Sequence, residues 1–60
     1  GDVDTAVMAA LTTMPQSTAD ISRKIDRGKQ TSLTSCTRLR SAGKIDGERT
    51  SSGWRWKLKE

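Results

Sequence analysis

Histidine, phenylalanine, tyrosine and asparagine are absent from this chain, and cysteine and proline occur once each. Without histidine, and with a single thiol, the usual zinc constellations cannot be assembled. One cysteine also excludes an internal disulfide, so the expected compartment is a reducing cytoplasm. The lack of a general-base histidine and of a glycine-rich phosphate loop, in a chain of only 60 residues, leaves no shielded cleft for catalysis. The chain is therefore read as a non-enzyme with no cofactor, no metal and no small-molecule substrate. No apolar run approaches the length of a membrane span, and the first residues are acidic rather than a basic signal region, so no membrane partner is expected. At this length residues 1–60 are read as one domain, and the opening on Gly1 rather than Met is read as that of a domain excised from a larger protein or released from a tag.

What is present is little apolar material and much positive charge. A core this small supplies only about 3–5 kcal/mol of net stability. Trp54 and Trp56 are the only aromatics, and each can bury about 150–250 Å², so losing either removes much of that stability. The net charge is +4, unevenly spread. Residues 1–20 carry Asp2, Asp4 and Asp20 and no base, whereas all 11 bases lie in residues 21–60, against Asp26, Asp46, Glu48 and Glu60. An acidic first segment joined to a basic remainder is the pattern of a domain that turns one face to a polyanion.

Val3, Ala6, Val7, Ala10 and Leu11 recur at i, i+3, i+4, i+7 and i+8, which predicts a first helix with Asp2 or Asp4 at its start. Thr12-Thr13 weaken this helix and Pro15 ends it, leaving residues 14–16 as an extended link or short strand. Ser17-Thr18-Ala19-Asp20 resembles a capping box opening a second helix, with Ile21 and Ile25 inward and Gly28 as its left-handed stop. A third helix is expected over residues 31–42, with Leu33, Cys36 and Leu39 inward and Gly43 as terminator. Cys36, on that stripe, is read as a small core residue rather than a nucleophile. The expected outward face is Lys29, Gln30, Thr31, Ser32, Thr34, Ser35 and Arg38, and no acid occurs over residues 27–45. Short hydroxyls, glutamine and arginine reach base edges and phosphates in a major groove, where carboxylates would be repelled.

The end of the chain reads as a hairpin. Lys44–Arg49 and Gly53–Lys59 form two strands, with Thr50-Ser51-Ser52-Gly53 as the turn. Alternation places Trp54, Trp56 and Leu58 on one face and Arg55, Lys57 and Lys59 on the other, the cations about 7 Å apart, near the phosphate spacing of a duplex strand.

Taken in order, Ser17-Thr18-Ala19-Asp20-Ile21-Ser22-Arg23-Lys24-Ile25, then Arg38-Leu39-Arg40-Ser41-Ala42-Gly43-Lys44-Ile45, then Trp56-Lys57-Leu58 resemble the winged helix-turn-helix domains of small bacterial and phage DNA-binding proteins. The resemblance covers nearly the whole chain. It implies an α+β fold of three helices with a two-stranded C-terminal wing and a short third strand near residues 14–16. It further implies sequence-directed double-stranded DNA binding, in control of transcription or of replication and recombination. The helix contacts would be Lys29, Gln30, Thr31, Ser32, Thr34, Ser35 and Arg38; the wing contacts would be Arg49, Thr50, Ser51, Ser52 and Arg55, with Lys57 further from the tip. Leu33 stands one position off the family's inward residue, and the missing tyrosine and asparagine set aside the Z-DNA-binding subgroup. Two alternatives stand beside this reading: a protein-interaction module docking through Trp54 and Trp56, and an RNA or single-strand binder. A second copy, or another domain of the parent protein, is an expected partner, because one such domain makes few base contacts.

Overall fold

Three helices and a three-stranded antiparallel sheet make up the computed structural model, which describes residues 2–59. Helix α1 spans Asp2–Ala10, with Val7 and Leu11 buried and Val3, Ala6 and Ala10 half-buried along the expected stripe. Ahead of the two threonines it stops, and the Thr12 hydroxyl then accepts from the Met14 N–H at 3.1 Å to turn the chain. Strand β1 is Gln16–Ser17, displaced from the expected residues 14–16. Proline has no N–H to give to a ladder, so the strand itself is Gln16, opposite Trp56, and Ser17, opposite Arg55, while ahead of Pro15 the Thr12 carbonyl accepts from the Leu58 N–H at 2.8 Å.

Helix α2 (Thr18–Ile25) is capped by Ser17, whose hydroxyl accepts from the Asp20 N–H at 3.1 Å, while the Asp20 carboxylate pairs with Arg23. Its end corrects the expectation for Gly28. Asp26 takes the left-handed conformation (φ 56°), which aspartate tolerates, and Gly28 (φ −64°) serves instead as N-cap of the next helix. Helix α3 therefore begins two residues early and spans Lys29–Ser41. Gly43 (φ 76°) closes it as expected, with Gly43 N–H on the Arg40 carbonyl and Lys44 N–H on the Leu39 carbonyl, both at 3.0 Å, the paired bonds of a Schellman end.

Strands β2 (Ile45–Thr50) and β3 (Gly53–Leu58) form the hairpin, with Ser51-Ser52 as its tip and Gly53 at φ 115°. The sheet order is β1-β3-β2, so β3 is central. Trp56, at the middle of β3, is fully buried with Val7, Leu11, Ile21, Cys36, Leu39 and Ile45. Its indole N–H donates to Thr18 Oγ1 at 2.9 Å, satisfying the ring's one polar atom inside the core. Opposite it on β2 stands Gly47, where a Cβ would lie 2.5 Å from Trp56 Cζ3 and 2.8 Å from Arg40 Cδ. Trp54 stacks on Trp56 with centroids 5.0 Å apart, and the Arg40 guanidinium lies 5.3 Å from the Trp54 centroid while its Nε donates to the Gly47 carbonyl. No helix among the described residues is long and apolar enough to cross a membrane.

Candidate nucleic-acid interface

Helix α3 is turned further than its apolar residues foretold. Its buried line is Ser32, Ser35, Cys36 and Leu39, at i, i+3, i+4 and i+7, and Leu33 lies half-buried on the flank. Ser32 and Ser35, expected on the outward face, are thus inside. Two specific bonds make this affordable: Ser32 Oγ donates to the Gly28 carbonyl at 3.1 Å, and Ser35 Oγ donates to Asp4 Oδ1 at 2.5 Å. Their small volume lets α3 close onto α1 and α2. Beside them Cys36 is fully buried; burial, and secondarily the Asp4 charge, push its thiol up to about 11.

The rotation brings a different line to solvent. Gln30, Thr34, Thr37 and Ser41 are all exposed and recur at i, i+4, i+7 and i+11 along α3. Thr37 and Ser41 were missed because the expected face was centred on the serines; correcting the rotation by one position would have found them. Lys29 and Thr31 are exposed at the first turn, and α3 carries no acid. Val3, Gln30, Thr31, Thr34 and Arg38 line one hollow of about 280 Å³ on this side of the molecule.

Arg38 is not a free cation. Its Nε donates to Asp4 Oδ2 at 3.0 Å and its Nη2 to Asp4 Oδ1 at 2.5 Å, joining α3 to α1. The stretch of chain without acids therefore has an acid against it in space. Arg38, then Ser35, hold the Asp4 carboxyl far below the usual carboxylate range against an opposing desolvation, and Asp4 in turn raises Arg38.

The hairpin divides the remaining residues. Arg49, Ser51 and Ser52 are exposed at the tip, and Thr50 is half-buried, donating through its hydroxyl to the Gly53 carbonyl at 2.7 Å. A cleft of about 360 Å³ joins the tip residues Ser52, Gly53 and Trp54 to Lys29 and Leu33 of α3 and to Ser17–Ala19. The tip and the start of α3 thus border one site. Arg55 and Lys57 do not belong to it. They lie on the far face of the hairpin, directly opposite Glu48 and Asp46, and line a separate hollow with those acids. Two of the three cations read from β3, Arg55 and Lys57, thus each have an acid of β2 as cross-strand neighbour, which the register reveals. Comparisons with protein-family models, with curated proteins and with solved structures gave no significant match, so the meaning of this surface rests on its own residues.

Proposed function

We propose that this chain is a winged helix-turn-helix domain that binds double-stranded DNA, with α3 in the major groove and the hairpin tip against the backbone, in the control of transcription or of replication and recombination. The observation that carries the reading is the exposed line Gln30, Thr34, Thr37 and Ser41, flanked by Lys29 and Arg38 on a helix without a carboxylate. Those side chains are short enough to approach base edges, and the order of helices and strands is compatible with such a domain. The wing contribution is confined to Arg49, Ser51 and Ser52, since Arg55 and Lys57 already face acids.

The two alternatives, a protein-interaction module and an RNA or single-strand binder, draw less support from these residues. Docking through the tryptophans needs that face free, yet Trp56 is fully buried and Trp54 is stacked against it. Single-strand binding needs an aromatic platform, and the half-buried Trp54 is the sole candidate ring. Amide NMR titration with a short duplex tests the proposal. Shifts should concentrate on residues 29–41 and 49–53. No shifts at low salt, or shifts confined to Asp46, Glu48, Arg55 and Lys57, would refute it.

A further inference from the structure

We infer that Asp4 is a positioning residue: it holds the Arg38 guanidinium so that the remaining edge of the fork addresses a guanine. The inference rests on the DNA-binding reading and adds the base class and the residue that fixes it. A guanidinium has five N–H donors in one plane. Asp4 engages Nε and one Nη2 hydrogen, which form a single edge of that plane. The other edge, Nη1 and the second Nη2 hydrogen, has the two parallel donors that fit guanine O6 and N7. Exposure agrees with this division of labour. The Arg38 side chain is 58% exposed, whereas Asp4 is tucked in at 22% and further fixed by the buried Ser35 hydroxyl. Arg38 also borders the same hollow as Gln30, Thr31 and Thr34, the other base-reading candidates on this side of α3.

The pairing has a second consequence. With its charge matched by Asp4, Arg38 is a poor phosphate ligand, yet it keeps a rigid pair of donors. It therefore contributes selectivity for a base without contributing to the salt dependence of binding. Asp4→Asn should do the reverse. It frees a cation, raises affinity for unselected duplex and steepens the salt slope, while the guanine preference falls.

The test starts by selecting duplexes from a random pool with the wild-type domain. One position should emerge fixed as guanine, and 7-deazaguanine there, which lacks N7, should weaken wild-type binding about tenfold. Asp4→Asn and Arg38→Lys should each discriminate less than wild type between the guanine and 7-deazaguanine duplexes, because neither keeps the held two-donor edge. Arg38→Lys keeps the ion pair with Asp4, and the altered base leaves the protein untouched, so a misfolded Asp4→Asn would not obscure the result. A wild-type domain that tolerates 7-deazaguanine, a selected site with no fixed guanine, or an Arg38→Lys variant as sensitive as wild type would each overturn the inference while leaving DNA binding intact. Failure of the wild type to retain any duplex would instead overturn the DNA-binding reading, and the inference with it.

Discussion

Replacing Gly47 by alanine adds one methyl group at the tightest point of the molecule. A Cβ there would stand 2.5 and 2.6 Å from two carbons of the Trp56 ring and 2.8 Å from Arg40 Cδ, all well inside van der Waals contact. Arg40 is exposed and can give way by releasing its bond to the Gly47 carbonyl. Trp56 is not, because the ring is fully buried and its N–H is held by Thr18 at 2.9 Å. The backbone is not the obstacle, since Gly47 is not among the positive-φ glycines, so the cost is one of overpacking. Such insertions cost about 1–3 kcal/mol. Against a total of about 3–5 kcal/mol for a domain of this size, a mid-range cost of about 2 kcal/mol removes roughly 40–70% of the stability. At roughly 4–8 °C per kcal/mol, a loss of about 2 kcal/mol lowers Tm by roughly 8–16 °C. Circular-dichroism melts give the number, and a double-mutant cycle with Trp56→Leu gives its origin. In the leucine background the added methyl has room, so the coupling should reach about 1 kcal/mol or more. A Gly47→Ala melt within 2 °C (~0.4 kcal/mol) of wild type would refute the reasoning, and with it the register that sets Gly47 against Trp56.

Trp56→Ala should cost about 3–5 kcal/mol and leave the chain largely unfolded by circular dichroism, whereas Trp54→Ala, removing a half-buried ring, should melt closer to wild type. Asp4 is held ionised by Arg38, so the unfolded chain takes up its proton first: the stability from this pair is complete above the unfolded carboxylate pKa of about 4 and is lost as pH falls toward the folded value. Urea midpoints taken from neutral pH down to acid should therefore fall more steeply for wild type than for Asp4→Asn, and parallel curves would exclude the pair. Cys36, buried with its thiol near 11, should resist a thiol reagent at neutral pH until denaturant is added; rapid labelling of the native domain would contradict its place in the core. In duplex-binding titrations Arg49→Ala should lower the salt slope by about one unit and Arg55→Ala should leave it unchanged; equal losses would return the outer face of the hairpin to the interface.

Features governed by neighbours in sequence were legible: the α1 stripe, the Ser17 cap, the Gly43 stop and the hairpin about Ser51-Ser52. Each depends on a local signal such as period, capping hydroxyl or left-handed glycine. Features governed by partners distant in sequence were not. Reading α3 by hydrophobicity put Ser32 and Ser35 outside, because their burial is made possible by the Gly28 carbonyl and by Asp4, 31 residues away in the case of Ser35. The candidate site suffered in the same way. Lys29, Gln30, Thr31 and Thr34 lie where their polarity puts them, but Arg38 is tied to α1, and Arg55 and Lys57 meet acids across the strand pair. Counting charges along the chain cannot register such pairings, since both depend on which elements pack together. The Gly28 assignment failed for a smaller reason: two residues near each other could each supply the left-handed turn, and Asp26 took it.

The bond from Arg40 to Gly47 bears on how this sheet ends. Strand β2 lies at the border of the sheet, where open N–H and carbonyl groups invite another strand. The Gly47 carbonyl, midway along it, is already taken by the Arg40 guanidinium, so α3 itself reaches over to stopper the border. A second copy laid antiparallel with Gly47 facing Gly47 would also set Asp46 against Glu48, acid to acid. That one register of edge-to-edge pairing therefore costs both the Arg40 bond and a close approach of acids, so the helix that packs behind the hairpin also guards its border.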